Sequence, residues 1–307
     1  MSRILITGGA GYLGSIMCEY LLIDGSHEVK VLDNFRHGTA SLAHLCFHPN
    51  FRIVRGDVRE LPDMLPLIKD AEIVIPLAAL VGVDECNKDK YAAASTNYGA
   101  IELLMKYCPK DRRILFPMTN SGYGTSGESV CTEESPLNPI SLYGTSKCAA
   151  EEEVIKRGNY TVFRLATVFG MSPRMRWSLM VNSFVKRAVD EKSIVLFESG
   201  MRRNFIHVKD VARAFIWAIE NPKLSNNEIF NLGLDTANMT KKELAEKIGQ
   251  HTEFHITEAP FAKDTDRRDY HVSSKKLYKK GFVPQHLLDE GIEELIKGAQ
   301  QYKWRDD

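Results

Sequence analysis

The stretch Arg3–Gly14, RILITGGAGYLG, decides the fold of this chain. Arg3–Thr7 is a short apolar run with β-branched Ile4, Ile6 and Thr7, and reads as a buried strand. Gly8, Gly9, Gly11 and Gly14 follow, and apolar residues then recur at helical spacing through Ile16, Met17, Tyr20 and Leu21. A strand that turns through glycines into a helix N-terminus makes an anion site. Free amide groups and the helix dipole face the bound charge, and missing β-carbons let a pyrophosphate approach. The next strand, Glu28–Asp33 (EVKVLD), ends on a carboxylate 19 residues past Gly14. That is close to the spacing expected for an acid that binds the ribose hydroxyls of a dinucleotide.

Outward from this unit, strands and helices alternate. Phe51–Val54 reads as a strand ending at Arg55-Gly56-Asp57, Leu61–Ile68 as a helix, and Ala71–Ile75 as a buried strand running into Pro76-Leu77-Ala78-Ala79. Asp89–Cys108 reads as one long helix containing Asn97, and Arg113–Met118 as the fifth strand, followed by Thr119-Asn120-Ser121-Gly122-Tyr123-Gly124. A loop from Thr125 to Pro139 precedes a helix over Ser141–Arg157, with Glu151, Glu152 and Glu153 expected in solvent; Tyr160–Ala166 is the sixth strand. This alternation predicts a parallel, doubly wound α/β sheet with helices on both faces. After Gly170 the pattern changes, with Arg174 and Arg176 in a short stretch and a loop expected over Thr257–Tyr270. Residues 1–170, joined by about 204–232, are assigned to the nucleotide-binding domain; 171–203 and 233–307 form a smaller substrate lobe.

Composition narrows the partners. The 307 residues carry 40 basic and 40 acidic side chains, so net charge gives no reason to expect nucleic acid or an anionic membrane. No charged-then-apolar leader precedes the first strand, and no apolar run approaches about 18 residues, so a cytoplasmic protein with no membrane partner is expected. The six cysteines form no CxxC, and the nine histidines no HExxH, so reduced structural thiols and no metal are expected.

Tyr143 and Lys147, in Tyr-Gly-Thr-Ser-Lys, lie four apart on a predicted helix and share a face. Tyrosine ordinarily loses its proton near pH 10, too high for a base at neutral pH. A neighbouring ammonium favours the phenolate, which can then take a hydroxyl proton while hydride leaves the same carbon.

With that pair placed behind a dinucleotide half-site, the chain resembles the extended short-chain dehydrogenase/reductase family that acts on nucleotide sugars. The resemblance rests on Thr7–Gly14, Asp33-Asn34, Gly56-Asp57, Leu77-Ala78-Ala79, Asn97, Thr119 with Tyr123-Gly124, Tyr143 with Lys147, and Arg203–Asp210. It implies a Rossmann-type fold, a homodimer, and a Thr119–Tyr143–Lys147 triad in which Thr119 binds the reacting sugar oxygen. It implies NAD held by Gly8, Gly11, Tyr12, Leu13, Gly14, Asp33, Asn34, Asp57, Val58, Leu77, Ala78, Ala79 and Asn97, with Tyr143 and Lys147 beside the nicotinamide. It places a nucleotide-diphosphate sugar against Val81, Asn120, Ser121, Arg174, Asn182, Arg203 and Arg267. Arginine forks suit a diphosphate. Asp33 repels a 2′-phosphate and so favours NAD over NADP, with Arg36 the nearby cation that would act the other way.

The family supports several reactions that usually begin by oxidation at sugar C4. Its 4,6-dehydratases carry Thr-Asp-Glu after the fifth strand, the acid protonating the leaving C6 hydroxyl and the glutamate removing the C5 proton. Here the triplet is Thr119-Asn120-Ser121. An amide cannot donate that proton, and serine is a poor base for carbon acids, so dehydration ranks low. The segments Asn120–Gly124, Cys131–Pro136 and Thr167–Gly170 look most like a branch that includes GDP-heptose 4-dehydrogenases, and Pro76 departs from the histidine common in epimerases. These finer matches rank net 4-dehydrogenation of a GDP-sugar, in surface-polysaccharide synthesis, ahead of 4-epimerisation. A non-catalytic NAD-binding regulator is the reading from another class; such proteins are expected to lose the tyrosine or lysine that this chain retains.

Overall fold

Ile4, Leu5 and Ile6 are all buried, and they alternate between two apolar clusters, Ile4 and Ile6 in one and Leu5 in the other. That alternation is what a strand covered on both faces requires. The computed structural model describes residues 1–23, 25–259 and 268–301. Its strands are β1 (Ser2–Thr7), β2 (His27–Asp33), β3 (Phe51–Arg55), β4 (Ile73–Pro76), β5 (Arg113–Thr119), β6 (Thr125–Cys131) and β7 (Tyr160–Leu165). They continue as β8 (Thr167–Phe169), β9 (Ser193–Leu196), β10 (Arg202–His207), β11 (Glu228–Leu232), β12 (Asn238–Thr240), β13 (His255–Glu258) and β14 (Asp269–Val272).

The main sheet has seven parallel strands in the order β11-β7-β5-β4-β1-β2-β3. Strand order reverses at β1, and open α/β sheets bind ligands beyond the carboxyl ends at such a point. Thr7 pairs with Leu32 on one side and Pro76 on the other. That register places Asp33 and Leu77 on either side of the glycine turn. Helices Tyr12–Leu22 and Val208–Glu220 contribute to one cluster; Leu61–Asp70, Ala100–Tyr107 and Leu142–Arg157 contribute to the other. The result is a Rossmann-like core with a smaller C-terminal α/β region.

In that second region β10 runs parallel to β8 and antiparallel to β12, β13 pairs with β9, and β14 pairs with β6. Of the stretch expected to return to the first domain, β11 joins the main sheet beside β7. The segment read as a loop over Thr125–Pro139 contains β6, whose partner β14 lies far ahead in the chain. No local pattern announces so distant a pairing. The expected long helix over Asp89–Cys108 is continuous from Lys90 to Tyr107, with a π-helical turn, Ser95–Gly99, between Lys90–Ala94 and Ala100–Tyr107.

Glu151 corrects another expectation, because it is 1% exposed. Its Oε1 meets Arg164 Nη2 at 2.9 Å and Nε at 3.0 Å, while its Oε2 has no hydrogen-bond partner. Arg164 Nη1 also donates to the Tyr123 hydroxyl at 3.1 Å and the Glu133 carbonyl at 3.0 Å. Tyr123 in turn donates to Asn231 Oδ1 at 2.6 Å. This network ties β7, the post-β5 loop and β11 together. Replacing Arg164 with methionine strands a buried carboxylate and is expected to cost about 3–5 kcal/mol. Urea denaturation at neutral pH reads this out, and a loss below about 0.5 kcal/mol, the range of surface changes, would show the ion pair to be idle.

Candidate active site

The glycine turn is built by close contact. Gly8 has φ +72°, and a β-carbon there would lie 2.6 Å from the Ala78 nitrogen. A β-carbon on Gly14 would lie 2.4 Å from the Gly8 carbonyl oxygen. Gly11 is the N-cap of helix Tyr12–Leu22 and supplies no side-chain cap, which leaves first-turn amides to an anion. Leu13 packs against the core below.

Asp33 accepts from the Ala10 N–H through Oδ2 at 2.9 Å and from the Phe35 N–H through Oδ1 at 2.8 Å. These bonds fix the carboxylate at the end of β2, and each oxygen keeps acceptor capacity for a ribose hydroxyl. Arg36 is exposed and its guanidinium lies 3.9 Å from Glu85. Asp57 is paired with Arg59 at 2.6 Å, which holds its carboxyl below the usual range, with Asn34 acting in the same direction. Val58 beside it is buried. Leu77 N–H donates to Thr7 O at 2.9 Å and Ala78 N–H to Thr7 Oγ1 at 3.3 Å, so the small turn Leu77–Ala79 is held against β1. These features together fit a dinucleotide: a cradle that side chains would fill, a helix N-terminus and a fixed carboxylate.

Asn97 is buried, and its amide accepts from the Leu80 N–H at 2.8 Å and donates to the Leu80 carbonyl at 2.9 Å. It shapes the loop after β4. Asn182 is likewise engaged by protein, accepting from Gly170 N–H at 3.1 Å and donating to Arg176 O at 3.0 Å and to the Tyr12 hydroxyl at 3.4 Å. Tyr12 donates its own proton to Gly170 O at 2.7 Å. Tyr12 and Asn182 thus join the glycine turn to the start of the second region.

Thr119 ends β5, opposite Leu165 of β7. Its hydroxyl donates to Ser121 Oγ at 2.9 Å and accepts from the Ser121 N–H at 3.1 Å. Tyr143 lies in the first turn of helix Leu142–Arg157, whose N-cap Ser141 accepts from Gly144 N–H at 3.1 Å. Burial pushes its phenol up to about 12, against the opposing pull of Arg176, Arg268 and the neighbouring Thr119 hydroxyl. Lys147, one turn on, is buried with Nζ 4.1 Å from the Phe116 ring centroid. Burial lowers its ammonium to about 7, with Glu151 acting in the other direction. Thr119 and Tyr143 therefore come together at the carboxyl edge of the sheet, and Lys147 lies one helical turn on from Tyr143. Beside them Asn120 is fully buried with neither amide atom hydrogen-bonded.

Two arginines that the motifs did not single out face Tyr143. Arg176 donates to the Val81 carbonyl at 2.5 Å and to Ser178 Oγ at 3.3 Å. Arg268 donates to Ser121 Oγ. The Arg-bearing stretch after Gly170 was a signal for Arg176; for Arg268 there was none beyond its neighbour. Arg174 turns to the Met175 carbonyl at 2.9 Å. Arg203 is buried, donates to the carbonyls of Arg202 and Arg268, and lies 5.6 Å from the Tyr270 ring centroid. Arg267 lies outside the described residues. Among the described residues no cluster of histidine, cysteine, aspartate and glutamate could hold a metal, and no helix is long and apolar enough to cross a membrane.

Comparison with known proteins agrees with this geometry. The putative UDP-glucose 4-epimerase of Methanocaldococcus jannaschii is 28% identical over 308 residues, covering 95% of this chain and 97% of the relative. The low-salt glycan biosynthesis protein Agl12 of Haloferax volcanii is 27% identical over 305 residues, covering 95% and 97%. The crystal structure of UDP-glucose 4-epimerase with UDP-glucose from Thermotoga maritima superposes with a TM-score of 0.83 at 25% identity, covering 96% of this chain and 97% of that one. The model of the NAD dependent epimerase/dehydratase family matches residues 4–233, which contain the glycine turn, Asp33 and the Thr119–Tyr143–Lys147 cluster. The chain belongs to that family of enzymes, and NAD is its cofactor.

Proposed function

We propose that the protein is a nucleotide-sugar 4-epimerase acting on a UDP-sugar. The observation that carries this reading is the Thr119–Tyr143–Lys147 cluster beside a loop that has lost both dehydration groups. Asn120 is closed into the protein as an amide, and Ser121 Oγ is engaged by Thr119 and Arg268. Neither can act as an acid on C6 or a base on C5. Net release of the 4-keto sugar, which the sequence ranked first, and the GDP-heptose branch become the second reading. The Methanocaldococcus relative and the Thermotoga structure are both named UDP-glucose 4-epimerases and weigh toward epimerisation. A homodimer through helices Ala100–Tyr107 and Leu142–Arg157 is part of the proposal, carried by the family resemblance.

Bound NAD supplies the hydride acceptor for oxidation at C4 and the donor for return to the opposite face. The protein's part is to orient the sugar and move one proton. Thr119 holds the C4 oxygen, Tyr143 takes its proton and later gives it back, and Lys147 places a cation one helical turn away. Arg203 and Arg174, with Arg267, form the proposed diphosphate-binding set.

Incubation with UDP-, dTDP- and GDP-sugars, followed by mass spectrometry and NMR, tests the reading. An unchanged mass with altered ring couplings is expected for a UDP-sugar. Loss of water would restore dehydration, and loss of two hydrogens would promote the 4-dehydrogenase. Tyr143→Phe is expected to slow turnover about 10²–10⁴-fold while NAD stays bound. Full activity in that variant would remove Tyr143 from the chemistry.

Lys147 gives a pH prediction. Its folded value of about 7 lies below the ordinary lysine value of about 10.4. Between the two the unfolded chain binds more protons, so this group makes stability rise with pH. Its burial penalty is fully present below pH 7. In NAD-free protein, Lys147→Met should therefore exceed the wild type in stability at pH 6, with the gap closing toward pH 10. Urea titrations that show a constant gap across this range would contradict the buried, easily neutralised ammonium.

A further inference from the structure

Arg268 stands immediately before β14, and its position is fixed on several sides. Asp269 N–H donates to the Gly124 carbonyl at 3.3 Å, which lays this segment along the loop that follows Thr119. The Asp269 carboxylate accepts from Arg202 N–H at 2.9 Å and from Arg202 Nε at 3.2 Å. Arg203 donates to the carbonyl of Arg268 itself. From this base the Arg268 guanidinium donates to Ser121 Oγ. Ser121 Oγ is joined to Thr119 Oγ1 at 2.9 Å, and the Thr119 hydroxyl neighbours the Tyr143 phenol and favours its phenolate. Arg268, Ser121 and Thr119 thus form a hydrogen-bonded line that leads to the Tyr143 phenol.

We propose that Arg268 is a positioning residue that anchors a directed line of hydrogen bonds, Arg268–Ser121–Thr119–Tyr143, which stabilises the phenolate of Tyr143 when it forms. The inference rests on Tyr143 being the acid/base of the proposed epimerase. The direction follows from proton counting. Guanidinium is a donor only, so Ser121 Oγ accepts at the Arg268 end. Each hydroxyl has one proton. While Tyr143 is protonated, Thr119 donates to Ser121 and keeps a lone pair for the phenol. Once Tyr143 gives up its proton, both hydroxyls turn. Before a sugar binds, Ser121 donates to Thr119, Thr119 donates to the phenolate oxygen, and the line runs from cation to anion. Charge-assisted bonds are the strong ones, and each polarises the next.

The other charges around the phenol do not replace this line. Lys147 lies on the same helix, buried over Phe116. Arg176 approaches from the segment after β8, where Val81 and Ser178 also accept from it. Cys86 faces Tyr143 from helix Val83–Lys88 and acts against the phenolate. Arg268 is the cation with a hydroxyl path to the phenolic oxygen among the described contacts. The serine is essential to that path, because a carboxylate at position 121 would bring no hydroxyl proton to pass on.

The test is the titration of Tyr143 in the NAD-loaded protein, followed by tyrosinate absorbance as the difference from Tyr143→Phe. It is run on wild type, Ser121→Ala, Arg268→Gln and Arg268→Lys, alongside kcat and KM across pH for any nucleotide sugar that is turned over. Ser121→Ala and Arg268→Gln should each raise the Tyr143 midpoint by about one unit. The double variant should shift it no further than the larger single change, and Arg268→Lys should restore part of the shift. The acidic limb of kcat should move with the midpoint. An unchanged midpoint in Ser121→Ala overturns the proposal. So does a higher KM at every pH in Arg268→Gln with the midpoint unmoved, which would make Arg268 a substrate-phosphate ligand only. If Arg268→Gln does not fold, the small Ser121→Ala truncation decides alone. A shifted midpoint in protein that epimerises no nucleotide sugar would uphold the hydrogen-bonded line and reject the epimerase reading.

Discussion

Gly8 and Ala78 meet backbone to backbone, with no room for a methyl group between them. The rest of the site depends on that contact. It joins the turn after β1 to the turn after β4, and because β1 and β4 are neighbours in a parallel sheet, both turns leave the same edge. Parallel strands deliver successive loops to one side, so a cofactor cradle, a sugar-facing loop and an acid/base helix can assemble there without any strand reversing. The two β-carbons missing at Gly8 and Gly14 bring the helix N-terminus close to the sheet.

Around the cradle, many buried polar groups hold other residues rather than reach outward. Asn97 fastens Leu80, Asn182 fastens Gly170 and Arg176, and Asp33 fastens Ala10 and Phe35. A buried amide or carboxylate without partners is costly, and one that bridges two backbone segments fixes their separation as well. These loop ends are therefore placed by side chains bonded to the protein's own backbone. Asn97 and Asn182 each fix the path of a loop in this way.

The fold was legible because the signals that set it are local. An apolar run, a glycine turn, a helical stripe and a strand-end aspartate sit within residues 3–33, and the same alternation repeats down the chain. Tyr143 and Lys147 were legible for the same reason, being one helical turn apart. What escaped were contacts between distant segments. Glu151 looks like one acid in a solvated run of three, yet Arg164 on β7 draws it inside. The strand Thr125–Cys131 looks like a polar loop until Asp269–Val272 is laid beside it. Arg267 and Arg268 are indistinguishable by type, and the register of β14 against β6 sets Arg268 beside the catalytic loop.

That loop also explains how one fold divides into different chemistries. Position 121 can carry a carboxylate, which removes a carbon-bound proton but brings no hydroxyl to the bond network. It can carry a hydroxyl, which passes hydrogen-bond direction but is too weak a base for carbon. No side chain does both. With serine in place, the cation at Arg268 acts on Thr119 and Tyr143 and favours oxidation at the hydroxyl-bearing carbon. With glutamate in place, the same cation would be neutralised at its first contact, and the loop would act on the neighbouring carbon once C4 is oxidised. The change of reaction needs no change in the sheet, the cradle or the helix that carries Tyr143.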